Sequence, residues 1–183
     1  MATRSQSSLG KFVALLRGIN VGGNRIIPSA DLKKCFEKMG FGDVKVILQS
    51  GNVKFTSDSK NAAQVRSTIE TGLAKRFDYP AKAVVSTLER LNDVIAEYPF
   101  NANNKDEQQY VVFFNEDLGD DMVKETNLNK AVEQAKAAEM IVYWRVQKGM
   151  TLKSDFGKLL SKAKYKDHHT VRNLNTLQKI VKA

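Results

Sequence analysis

Two polar stretches of this chain carry groups that could hold an anion. The segment Arg17-Gly18-Ile19-Asn20-Val21-Gly22-Gly23-Asn24 follows an apolar run and combines a guanidinium with carboxamides and glycines. The segment Gln49-Ser50-Gly51-Asn52 adds two carboxamides and a hydroxyl. An arginine fork beside convergent backbone N–H groups suits a phosphate, a carboxylate or the edge of a nucleobase. The plainer reading is that glycine and asparagine simply build two turns. A third candidate, Thr170-Val171-Arg172-Asn173, precedes an apolar helical pattern. Arg172 and Asn173 would then sit at a helix start, where free N–H groups attract anions, with Thr170 as an alternative N-cap. Candidate ligand-binding residues are therefore Arg17, Gly18, Asn20, Gly22, Gly23, Asn24, Gln49, Ser50, Gly51, Asn52, Thr170, Arg172 and Asn173.

Standard catalytic patterns fit poorly. Gly18 and Gly23 have the spacing of a P-loop, but Asn24-Arg25 stands where Lys-Ser/Thr is needed, which argues against nucleotide hydrolysis by that route. The chain has no Gly-x-Gly-x-x-Gly fingerprint for a dinucleotide cofactor. His168 and His169 are the only histidines and are adjacent, so they diverge rather than chelate, and with one cysteine no zinc pattern exists. No nucleophile elbow is present. The acidic run Glu116-Asp117 with Asp120-Asp121 lacks the spacing of a calcium loop and reads as a solvated turn. These residues imply no metal and no cofactor.

The elements that would position the candidates follow from periodicity. Residues 11–17 predict a central strand, apolar on both faces. Pro28-Ser29 opens a helix with Ser29 as N-cap, and Leu32, Phe36 and Met39 form its stripe before Gly40. Strands over 44–48 and 53–56 flank a tight turn. A helix over 61–77, with Val65, Ile69, Leu73 and Phe77 four apart, leads to a strand at 82–85. This order is that of the split βαβ, or ferredoxin-like, unit. In that topology the loop leaving the first strand and the hairpin leaving the second lie at the same end of the sheet. Arg17 and its glycines should therefore neighbour the 49–52 turn.

Ser86 and Glu89 predict a capping box for a helix to about residue 98. Polar residues 101–106 mark the expected domain boundary. Beyond it the pattern predicts a strand at 110–114, a helix over 128–138, a hairpin of 141–146 with 151–153, a helix over 155–164 and a last helix through Leu174, Leu177 and Ile180. No closing strand is expected in this second unit. The fold expected is α+β: two ferredoxin-like α/β-plait units in tandem, with antiparallel sheets and helices on one face. Residues 1–10 form a tail, 11–100 the first unit with a linking helix, and 101–183 the second.

Composition bounds the partners. The 183 residues are 42% hydrophobic and carry a formal charge of +9, of which +8 lies between Tyr143 and Ala183. That basic fifth could attract nucleic acid, or could be a solvated face. An RNA-recognition surface is not supported, since the third strand offers only Phe55 where paired aromatics are needed. No apolar stretch is long enough to span a membrane, so no membrane partner is expected. The single cysteine, Cys35, precludes an internal disulfide and fits a cytoplasmic location; its apolar neighbours suggest packing rather than nucleophilic work.

Three stretches together resemble the domain of unknown function 1697, a family of bacterial proteins of about this length: residues 14–23, Gln49-Ser50-Gly51-Asn52, and Thr170-x-Arg172-Asn173-x-x-Thr176. The resemblance spans residues 11–181. It implies two ferredoxin-like units in tandem and no established activity. Leu174 departs from the family, which usually has tryptophan after Arg-Asn.

Three functions follow as expectations. The first is non-catalytic binding of a phosphate-bearing small molecule or nucleotide at the glycine loop and hairpin. The second is nucleic-acid binding through the basic C-terminal fifth. The third is an enzyme on a phosphorylated or acyl substrate, using Ser50, Asn52 and Arg17. The residues do not specify an oligomeric state.

Overall fold

The computed structural model describes residues 9–19, 26–49, 51–78 and 82–183. Among these, two four-stranded antiparallel sheets and six helices make an α+β protein. The chain divides into two compact units, Met1–Leu91 with Ala183 and Asn92–Lys182. The division falls ahead of the polar residues 101–106. None of the described helices is long and apolar enough to cross a membrane.

In the first unit the elements are β1 (Gly10–Arg17), α1 (Ser29–Lys38), β2 (Gly42–Ile47), β3 (Asn52–Ser57), α2 (Ala62–Phe77), β4 (Lys82–Thr87) and α3 (Leu88–Ala96), the last crossing into the second unit. The sheet order is β2-β3-β1-β4. Strand alternation sends Phe12, Ala14 and Leu16 into a core with Leu32, Phe36, Phe55, Val65, Ile69 and Leu73. Phe55 lies 5.9 Å from Phe12 and 5.5 Å from Phe36, ring centre to ring centre. Val13 and Leu15, on the other face, are also wholly buried, as the doubly apolar pattern requires. α2 begins where Asn61 Oδ1 accepts the Ala63 and Gln64 N–H groups at 3.0 and 3.1 Å. Gly40 adopts φ +89° just past α1.

The second unit contains β5 (Glu107–Phe114), α4 (Gly119–Glu125), β6 (Glu133–Ala138), β7 (Ile141–Gln147), α5 (Asp155–Ser161), β8 (His169–Asn173) and α6 (Leu174–Lys182). Its sheet order is β6-β7-β5-β8. Trp144 centres its core, 5.5 Å from Phe156 and stacked on Tyr110 at 5.2 Å.

Several local expectations are corrected. α1 starts at Ser29 with Pro28 in the cap position and no side-chain cap, so Ser29 is a first-turn residue. α3 is capped by Thr87, whose Oγ1 accepts the Arg90 N–H at 3.1 Å, while Ser86 belongs to β4. The helix expected over residues 128–138 is absent. Helix-favouring Glu133–Ala138 instead pairs with β7 as an edge strand, because cross-strand burial outweighs intrinsic propensity. Of the acidic run expected to be a turn, Glu116 and Asp117 lie in the bend before α4, whereas Asp120 and Asp121 fall in its first turn, where carboxylates complement the helix dipole. Residues 151–153 form turns; β7 instead pairs with β6 through the short loop of Glu139 and Met140. A closing strand, β8, does exist, pairing with β5 from Tyr110↔Asn173 to Phe114↔His169.

Candidate functional site

The edge of the first sheet is built by the ends of β1, β2, β3 and β4. Ile47 pairs with Asn52, and Asn52 with Leu15, leaving residues 48–51 as the connecting turn. The Leu16 N–H donates to the Gly51 carbonyl at 2.7 Å, fastening this turn to the end of β1. Gly51 has φ +75°, and a Cβ there would lie 3.0 Å from Leu16 Cβ, so glycine is required on both conformational and steric grounds. The end of β1 thus meets the hairpin at Leu16 and Gly51, while residues 20–24 of the glycine loop lie outside the described residues.

Arg17 is half-buried at the end of β1, on the face of Val13 and Leu15 rather than the helix-covered core. Its cross-strand partner is Lys82, the first residue of β4, which is exposed. Two cations directly opposite in an antiparallel pair repel each other unless a counter-charge joins them. Among the described residues no carboxylate forms an ion pair with Lys82. A second such pair, Lys45↔Lys54, occupies β2 and β3, where Lys45 Nζ donates to the Ala183 oxygen at 2.7 Å. Lys82 is not apparent as a site residue from sequence, since its place opposite Arg17 depends on the β1–β4 register.

The other first-unit candidates divide by burial. Gly18, at φ +71°, and Gln49 are exposed. Asn52 is completely buried, and its Nδ2 donates to the Ile47 carbonyl at 3.1 Å, which ties the hairpin. Asn20, Gly22, Gly23, Asn24 and Ser50 lie outside the described residues.

Thr170, Arg172 and Asn173 sit on β8, in the second unit. Thr170 is a buried strand residue, not an N-cap. Its Oγ1 accepts from Arg172 Nη1 at 2.7 Å, and the same nitrogen donates to the Val171 carbonyl at 2.9 Å. Burial lowers the Arg172 pKa to about 10. Asn173 Oδ1 accepts the Asn175 N–H at 2.9 Å and starts α6. Leu174 is buried in the second unit.

Of the ten cations in the basic fifth, Arg172 and four others have internal side-chain partners. Arg145 is paired with Glu107 and donates to Gln134 at 3.2 Å and to the Lys130 carbonyl at 3.0 Å. Lys158 lies 4.0 Å from Asp155, and Lys162 and Lys164 lie 3.6 and 4.0 Å from Glu125. The hydroxyl of buried Tyr165 donates to Glu125 and accepts from Lys164 Nζ at 2.8 Å. These hydrogen bonds hold the Glu125 carboxyl below the ordinary carboxylate range and the Lys164 ammonium above its ordinary value. A hollow of about 420 Å³ beside this cluster is lined by Glu125, Asn127, Asp155, Lys158 and Lys162 among others.

Neither histidine joins a metal-binding group. His168 faces Glu116 at 3.8 Å, and His169 Nδ1–H donates to the Tyr165 carbonyl at 2.9 Å. Among the described residues no three His, Cys, Asp or Glu side chains converge as a metal site. Cys35 is buried in α1 with its thiol 3.8 Å from the Gly72 carbonyl, and burial pushes its pKa up, away from thiolate chemistry.

A family model described as protein of unknown function (DUF1697) matches residues 9–143. The structure of a conserved bacterial protein, SP0830 from Streptococcus pneumoniae, shares the fold. It aligns with a TM-score of 0.77 and 24% identity, covering 96% of this chain and 98% of that one. A protein of unknown function from Galdieria sulphuraria aligns with a TM-score of 0.29 and 12% identity, covering 90% of this chain and 97% of that one. No curated protein matches the chain in sequence.

Proposed function

The chain belongs to the family of proteins of unknown function (DUF1697), and for this member we propose non-catalytic binding of a phosphate-bearing small molecule or nucleotide at the β1–β4 edge. The observation that carries this reading is Arg17 directly opposite Lys82 in the strand register. An anion seated between them is met by two cationic side chains, each able to make a charge-assisted contact. Gly18 and Gln49, exposed at the same end of the sheet, add a backbone donor and a carboxamide.

Both sheets have the strand order and antiparallel pairing of the ferredoxin-like α/β plait, which supports assigning two such units in tandem. The buried free thiol of Cys35 is compatible with a reducing cytoplasm. The nucleic-acid reading draws less support, because Arg145, Lys158, Lys162 and Lys164 already face carboxylates. The enzyme reading uses Ser50, which lies outside the described residues, with Arg17 and with Asn52, whose side chain is buried within the hairpin.

Isothermal titration with pyrophosphate and ATP tests the proposal. Wild type binds with an affinity that falls as salt rises, and Arg17→Ala or Lys82→Ala each weakens binding about tenfold, the loss of one charge-assisted contact. Equal affinity for wild type and both variants overturns it.

A further inference from the structure

The turn that closes on β1 opens with a residue that its geometry disfavours. Leu48 is held at φ +55° and is 46% exposed. A γ-branched, non-glycine side chain in the left-handed region is strained, and here it also leaves an apolar side chain in water. The ladder explains the left-handed residue at the other end of the turn. Gly51 turns its carbonyl onto Leu16 N, and in the second unit Met140, at φ +60°, turns its carbonyl onto Phe114 N at 3.0 Å. The second hairpin has only Glu139 and Met140 between Ala138 and its partner Ile141, so it contains no counterpart of Leu48.

Position relates Leu48 to the two cations. It follows Ile47 at the end of β2, and the sheet order runs β2-β3-β1-β4. At about 4.8 Å per strand, Leu48 stands about 10 Å across the sheet from Arg17 and about 14 Å from Lys82. A free phosphate cannot reach from one end of that span to the other. A ligand with an anionic group separated from a flat, apolar-faced ring can.

We propose that Leu48 is a specificity-determining residue, an apolar platform for the base of a nucleoside di- or triphosphate whose phosphates lie at Arg17 and Lys82. This rests on the anion-binding reading of that edge. Gln49, exposed beside Leu48, supplies a carboxamide to the base edge. Strain retained at an exposed turn is accounted for by contact with the ligand.

The test compares wild type with Leu48→Gly, which suits φ +55° and removes the apolar side chain. ATP and pyrophosphate are titrated into both, and both are melted without ligand. The expected result is a melting temperature for Leu48→Gly equal to or above wild type, ATP affinity down about tenfold, and pyrophosphate affinity unchanged. Unchanged ATP affinity, or equal loss for both ligands, overturns the role of Leu48 while leaving the anion site standing. Failure of wild type to bind either ligand overturns both.

Discussion

Glu133 Oε2 accepts the indole N–H of Trp144 at 2.9 Å, with both residues buried at the centre of the second unit. The other carboxylate oxygen accepts the Phe156 N–H at the start of α5, at 3.1 Å. One side chain thus joins edge strand β6, the core tryptophan and a helix start. This explains how a glutamate in a helix-favouring segment is held in a strand.

Replacing Glu133 with Gln turns an amide donor toward one of those two N–H groups. The expected loss is about 1–3 kcal/mol in urea unfolding followed by Trp144 fluorescence, and Glu133→Ala costs more. A double cycle with Trp144→Phe should show coupling, since the partners share one hydrogen bond.

Gly157 in α5 is a steric demand rather than a conformational one. A Cβ there would fall 1.8 Å from the Thr151 carbonyl oxygen. Gly157→Ala must move backbone and should cost about 3 kcal/mol or more. Gly149→Ala meets open space but φ +80°, and should cost about 1 kcal/mol, measured in the same denaturation series.

Asn52→Ala removes the amide that donates to Ile47 and should lower stability by about 1–3 kcal/mol. Pyrophosphate affinity measured on the folded variant should be unchanged, which separates a hairpin tie from a ligand contact.

Tyr165 links Glu125 and Lys164, and Tyr165→Phe removes both hydrogen bonds. The Glu125 pKa then rises toward its ordinary 4.5 and that of Lys164 falls toward 10.5, read by NMR titration. In wild type the Glu125 contribution is complete above its unfolded-state pKa and is lost as pH falls through the lower folded value. The Lys164 contribution is complete below its unfolded-state pKa and is lost as pH rises through the higher folded value. Stability should therefore lose the Tyr165 share of both contributions on mutation, with a flatter acid limb, while Lys162 and Lys164 still face Glu125.

Local residue order determined much of this protein. The alternation of Phe12 to Leu16 specified a strand buried on both faces, and the four-residue spacing from Val65 to Phe77 specified α2. The strand order of the first unit also placed the end of β1 beside the 48–51 turn, as the Leu16–Gly51 hydrogen bond records. Other outcomes required contacts remote in sequence. Glu133–Ala138 became a strand because β7 and Trp144 were available to pair with it, and His169–Asn173 because β5 offered an edge. Lys82 came to face Arg17 through a register that no local pattern encodes. Hydrophobic periodicity is a property of neighbours along the chain, whereas pairing partner, register and the burial of a lone carboxylate are properties of neighbours in space. For that reason only the tertiary structure decided them.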